Sequence, residues 1–141
     1  MTATLVPRRA DQLGASRPMD TLSVPVKAGA KLLPGTIVVT NAGYAAPGTT
    51  ATGLVAVGLA QETVDNTTGA DGAVRVLVRA GTFKFLNLGA DPVLPAGVFS
   101  DCFIADNQTV AATNGGSTRS RAGKVIQLDA DGVFVQIAPG L

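Results

Sequence analysis

From residue 22 onward apolar and polar residues alternate in short runs, and no segment carries a sustained helical stripe. In "TLSVPV", Leu22, Val24 and Val26 fall on one face, and Pro25, which has no N–H to donate to a ladder, predicts an edge position. "TIVVT" at 36–40 is a β-branched strand, and "LVAVGLAQE" at 54–62 is a buried strand with Gly58 at a bulge or bend. "AVRVLVRAG" places Val74, Val76 and Val78 on one face and Arg75 and Arg79 on the other, and "TFKFLNL" reads as an extension of the same strand. "VFSDCFIA" follows, then "GKVIQLD", a DADG turn and "VFVQIA". The Gly/Pro/Thr-rich "NAGYAAPGTTATG" and the polar stretch 105–121 read as loops. Strands this short and this regularly punctuated predict an all-β domain, a small β-sandwich or barrel.

Residues 1–20, "MTATLVPRRADQLGASRPMD", follow neither period. Pro7 and Pro18 fix φ and remove donors, so this stretch predicts an extended N-terminal arm ahead of a β-rich domain over 21–141. Freezing such an arm costs on the order of 1 kcal/mol per residue. The expectation is therefore an arm ordered only against a partner, and a merely disordered terminus is the alternative.

Two phrases echo each other. "GADGAVRVLVRAG" at 69–81 and "AGKVIQLDADGVFVQIAPGL" at 122–141 both run Asp-Gly, alternating Val/Ile, then a small residue and Gly. "LLPGTIV" at 32–38 resembles "VLPAGVF" at 93–99, and "VAVGLAQ" loosely matches "RAGKVIQL". Each half thus reads Leu-Pro turn, strand, loop, Gly-containing strand, Asp-Gly hairpin, strand. Three strands cannot bury an apolar face alone, so the expectation is an internal pseudo-repeat whose halves close on each other. Chance likeness among Val/Gly-rich strands is the alternative.

Composition narrows the function. The 141 residues suit one domain, with 11 Lys+Arg against 10 Asp+Glu, no His, no Trp, one Tyr and one Cys. A balanced charge predicts no direct nucleic-acid partner, and the apolar runs fall far short of the ~20 residues that cross a bilayer. No apolar segment follows the N-terminal arginines as in a secretion signal, so a cytosolic origin is expected and the sequons at 66–68 and 107–109 read as coincidental. Without His, Ser-His-Asp and Cys-His sites are excluded. A Ser120–Lys124 dyad can be drawn, but in a flexible-looking loop, and Cys102 between apolar neighbours reads as a small hydrophobe. Asp129 with Asp131, and Asp65 with Asp71, lack calcium-loop spacing and read as turn residues. No phosphate-binding glycine motif is present. The expectation is no enzyme, no catalytic residue, no cofactor and no metal, but a body built for contact, whose arm can add a strand to another sheet edge.

The run from "LLPGTIVVTNAGYAAPGTTATGLVAVGLAQETVDNTTGADGAVRVLVRAGTFKF" to "GKVIQLDADGVFVQIAPGL" resembles the small capsid decoration, or cement, proteins of tailed bacteriophages. The resemblance covers roughly residues 22–141. It implies a compact β domain, often a homotrimer, on the outer capsid surface of a virion assembled in the host cytoplasm. It also implies a terminus reaching along the major capsid protein. Leu5, Val6, Pro7, Arg8 and Arg9 are then the candidates for capsid contact, and Arg75 and Arg79 for contact between copies. The alternatives are another virion β module (a tail, head-completion or spike-base subunit) and, more distantly, a small trimeric β enzyme of the dUTPase type. The last lacks its nucleotide-stacking aromatic here, since Tyr44 sits in "NAGYAAPG".

Overall fold

In a computed structural model of the chain, residues 21–139 are described, and the arm predicted over 1–20, with its candidates Leu5 to Arg9, lies outside them. The described residues form strands and one short 3₁₀ turn (Pro95–Gly97). In chain order the strands are β1 (Thr21–Pro25), β2 (Lys31–Leu32), β3 (Ile37–Asn41), β4 (Tyr44–Pro47), β5 (Val55–Ala60), β6 (Val64–Asp65) and β7 (Arg75–Arg79). The second half adds β8 (Gly81–Asn87), β9 (Asp101–Ile104), β10 (Thr109–Ala111), β11 (Arg121–Asp129) and β12 (Gly132–Ile137). The fold is all-β.

β1-β7-β5-β3-β4 is a five-stranded sheet, and β8-β12-β11-β9-β10 closes into a barrel when β10 returns to β8. The two orders are the same if β1, β3, β4, β5 and β7 correspond to β8, β9, β10, β11 and β12. Register agrees residue by residue. Arg79 stands opposite Thr21 and Leu59 as Gln136 stands opposite Thr82 and Lys124. The first sheet closes through a parallel bridge from Val26 to Ala45, in the place where Asn87 pairs with Val110. Lys27 donates to Ala45 O at 2.9 Å, as Leu88 donates to Val110 O at 2.9 Å. The pseudo-repeat is thus present in the backbone pairing, where chance likeness of sequence has no bearing.

The repeat differs from the expectation in three respects. Each unit has five strands: β4 and β10 lie in segments read as loops, and β1 and β8 complete the order. Each half closes on itself rather than on the other, because five strongly twisted strands bring the outer two within pairing distance. "TFKFLNL" does not extend β7; the chain changes sheet between Arg79 and Gly81, so β8 opens the second unit. Of the Asp-Gly pairs, only the DADG stretch makes a hairpin, with Asp129 opposite Gly132. Asp71 instead accepts a hydrogen bond from Ala28 N at 2.7 Å in a loop across the end of β1.

Both units carry the same bulge. Val38 and Val39 on β3 face Gly58 and Ala56 on β5, leaving Val57 as the extra residue. Cys102 and Phe103 on β9 face Gly123 and Arg121 on β11, leaving Ala122. The residue after each bulge is glycine because a neighbouring backbone crowds it. A Cβ on Gly58 would lie 2.2 Å from Arg79 O, and one on Gly123 would lie 2.1 Å from Gln136 O.

Two apolar clusters result. Val24, Val26, Leu32, Val38, Val57, Val76 and Val78 fill the first unit, closed off by the small β2–β6 pair through Leu32 and Val64. The second cluster combines the inner face of the second unit (Phe85, Val125, Val133, Val135, Ile137) with Ile37, Val39 and Ala56 from the first. β3 therefore buries both faces, and Ile37, Val38 and Val39 are all 0% exposed. This is why "TIVVT" carries β-branched residues without alternation. Polar bonds also join the halves: Ile37 N donates to Asn107 O at 2.8 Å, and Thr50 Oγ1 to Ala105 O at 2.7 Å.

Gly58→Ala and Gly123→Ala are each expected to cost about 1–3 kcal/mol or somewhat more, the range for forcing an extra group into a packed site. Urea denaturation of the two variants checks this, and the two midpoints should fall together because the sites are equivalent.

Candidate interaction surface

The side chains that could carry chemistry are occupied in holding the fold. Cys102 is fully buried, and desolvation pushes its thiol up to about 12, so it packs as an apolar residue. Ser120 Oγ donates to Ala51 O at 2.7 Å and accepts from Leu54 N at 3.0 Å. Lys124 Nζ lies 2.8 Å from Asp101 Oδ1. The Ser120–Lys124 pair is therefore not brought together as a nucleophile and base. Asp65 caps the turn at Thr67, and Asp131 lies 2.7 Å from Lys84 Nζ. No three of His, Cys, Asp and Glu gather in metal-binding positions among the described residues. Asn66 of the first sequon is buried, its amide donating to the carbonyls of Val26, Lys27 and Ala70.

Arg75 and Arg79 project outward from β7 as predicted, with Leu77 (45% exposed) between them. Val74 precedes the strand and is itself partly exposed, so only Val76 and Val78 form the inner face. Arg75 does not stand free: its Nε donates to Ser23 Oγ and its Nη2 to Ser23 O, both at 2.8 Å. The guanidinium thus covers an edge carbonyl of β1 within its own chain. Arg79 makes no side-chain hydrogen bond or ion pair to the described residues, which leaves it the more open of the two for contact.

The most exposed apolar side chain was not singled out from the sequence. Phe99 is 73% exposed and has φ +69°. Its N–H donates to Val125 O at 2.7 Å, as Gly35 N donates to Ala60 O at 2.9 Å in the first unit. Gly35 has φ +79°, so the two residues occupy one backbone position, and the second unit places phenylalanine where the first places glycine. Holding a residue with a Cβ there costs about 1–2 kcal/mol. Ile126, the bulged residue of β11, follows Val125 and is 37% exposed, and Leu94, which opens the 3₁₀ turn, is 60% exposed. The residue after Ala60 in the first unit is Gln61. At Phe99 and Ile126 the second unit therefore displays apolar side chains where the first has glycine and glutamine, while Leu94 matches the first unit's Leu33, itself 46% exposed. Only knowledge of the fold could have found this, since Phe99 lies in an unremarkable "GVFS".

Comparison of the chain with protein-family models, curated proteins and solved structures finds no match to any of them. No helix among the described residues is long and apolar enough to cross a membrane.

Asp101, at the start of β9, is paired with two cations, Arg121 and Lys124, each at 2.8 Å. A hydrogen bond from Lys124, then one from Arg121, outweighs partial burial and holds its carboxyl below the ordinary range. A depressed native value stabilises the fold above the unfolded value of about 3.9 and is lost as pH falls through the native one. Stability should thus decline on acidification below about pH 4, and Asp101→Asn should flatten part of that decline. Thermal melts of both proteins from neutral to acid pH check it.

Proposed function

We propose that this protein is a structural virion component that binds the outer surface of a tailed-bacteriophage capsid and cements adjacent major capsid subunits. Support comes from the resemblance to capsid decoration proteins and from the way the two units diverge. The observation that carries the reading is Phe99. A chain that spends conformational energy to hold an aromatic outward, at a position its own duplicate fills with glycine, has a partner for that aromatic. Aromatic side chains of this kind supply large contact area at few rotatable bonds and dominate interface energetics.

In this reading the patch of Leu94, Phe99 and Ile126 meets the shell, and the arm carrying Leu5, Val6, Pro7, Arg8 and Arg9 is a second tether. Arg79 is available to a neighbouring copy. Modest affinity per contact suffices, because in a homotrimer each engaged contact raises the effective concentration of the next and can add ~10²–10⁴ in affinity. The described body supplies packing and backbone pairing, which suit a load-bearing staple better than a reaction.

Mixing the purified full-length protein with expanded shells and imaging them tests the proposal. Density distributed over the whole outer surface is the expected result. A single ring at one vertex identifies the alternative, a connector or tail subunit. Phe99→Gly should weaken decoration by about tenfold or more, the loss typical of an interface anchor. Its melting temperature should hold or rise, since the strained φ is relieved. Undiminished decoration by Phe99→Gly would remove the patch from the proposal.

A further inference from the structure

The loop that joins β10 to β11 (residues 112–120) contains "TNGGST", whereas its counterpart between β4 and β5 (residues 48–54) contains no asparagine. Asn114 and Gly115 are both exposed. Glycine is required at 115, because φ is +65° and a Cβ there would lie 2.6 Å from Thr118 Oγ1. Asparagine is held at 114 by its own bonds. Its main-chain carbonyl accepts from Thr118 N at 2.8 Å and Arg119 N at 3.0 Å, and its side-chain Oδ1 accepts from Ser117 N at 3.2 Å. The loop thus fixes an Asn-Gly pair, in which the glycine nitrogen, unshielded by a Cβ, has open access to the side-chain carbonyl carbon of asparagine.

The groups around that pair match what such an attack needs. Gly115 N–H donates to Thr113 Oγ1 at 3.2 Å. Thr113 gives its own hydroxyl proton to Asp91 Oδ2 at 2.5 Å, which leaves an oxygen lone pair for the Gly115 proton. The Arg119 guanidinium, bonded to the same Asp91 oxygen at 2.9 Å, stands 3.1 Å from where a Gly115 Cβ would be. A cation therefore lies beside the nitrogen that must lose a proton, and it favours that loss. Ser117 N–H already sits on Asn114 Oδ1, the atom that becomes an oxyanion as the new bond forms. Ser117 holds φ +70° in doing so, a conformation that costs a residue with a Cβ about 1–2 kcal/mol.

We infer that Asn114 is a self-modification site, at which the Gly115 nitrogen attacks Asn114 Cγ, closes a succinimide and expels the side-chain amide as ammonia. The N–Cγ bond forms, the Cγ–Nδ2 bond breaks, and the proton lost by Gly115 N leaves with the ammonia. One water then opens the ring at either carbonyl and gives aspartate or isoaspartate, with nothing oxidised or reduced. Thr113 and, through it, Asp91 are positioning residues in this step.

Either product adds a carboxylate and takes the formal net charge from +1 to zero. Isoaspartate also reroutes the main chain through Cβ and turns the carbonyl that holds Thr118 N and Arg119 N into a free carboxylate. Arg119 ties this loop to Asp91, so the modified loop loses part of its hold on that ion pair. The change runs one way and needs no partner, and it stands whether or not the protein binds a shell.

Incubating the full-length protein at neutral pH, mapping its peptides by mass and counting isoaspartate by enzymatic methylation tests this. Asn114 should convert ahead of Asn41, Asn66, Asn87 and Asn107. It should also convert about tenfold faster in the folded chain than in the same chain in concentrated urea, a small part of what positioning can supply. An equal or slower rate in the folded chain would overturn the inference, since the dipeptide alone would then account for the conversion. Thr113→Val should slow the folded chain to the urea rate, whereas Thr113→Ser, which keeps the hydroxyl, should retain the native rate. Thr113→Val reacting as fast as the native chain, or Thr113→Ser as slowly as Thr113→Val, would overturn it as well. The comparison with urea uses the native sequence, so it decides the matter even where a variant fails to fold.

Discussion

The closure of each unit depends on one close approach, a glycine backbone set against a carbonyl of the adjacent strand immediately after a bulge. Gly58 lies against Arg79 O and Gly123 against Gln136 O, at distances no side chain tolerates. The extra residue before each glycine bends its strand and sharpens the local twist. A sheet of only five strands needs that added coiling to bring its first and last strands together. The valine interiors follow, because a unit of this width encloses β-branched side chains and little else.

Duplication then turns the molecule into its own comparison. Elements shared by both units (the strand order, the bulge, the seam hydrogen bonds) are what folding demands. Differences fall at the seam and around the turn before β3 and its counterpart β9. Pro25 stands against Leu86, whose N–H extends the second seam by donating to Gln108 O, Arg75 against Gly132, and Gly35 against Phe99. The β2–β6 pair is the one addition to the first unit, and it covers that unit's apolar interior. Exposed apolar side chains occur on both units, Val55 and Leu77 on the first and Leu86 and Leu94 on the second, and the second stands apart in carrying the most exposed of them, Phe99, at a left-handed position.

The same logic explains where the charges went. Lys84, Asp101 and Arg119 are paired with neighbours at 2.7–2.9 Å, mostly at the surface, where an ion pair contributes about 1 kcal/mol or less. They set register and turn geometry more than stability. Cohesion comes from the buried valines and isoleucines and from ladders whose donors and acceptors have no water to return to.

Period-two alternation in "TLSVPV" and "AVRVLVRAG", the β-branched run at 36–40 and the absence of a helical stripe were enough to determine an all-β chain, with Pro25 at an edge and Cys102 packed as a hydrophobe. These are local properties of side chain and backbone, and they survive whatever the chain does at long range. The echo of Leu-Pro turns and Asp-Gly strands was legible too, but its extent was not. β4 (Tyr-Ala-Ala-Pro) and β10 (Thr-Val-Ala) are short and lie in stretches rich in Gly, Pro, Thr and Asn, so their pairing is imposed by the strands beside them rather than announced by a pattern of their own. Which half closes on what, that Arg75 covers Ser23, and that Phe99 stands where Gly35 does are facts of register between residues far apart in the chain. Register is decided when whole strands pair and bury one face together, so only the tertiary structure could decide them.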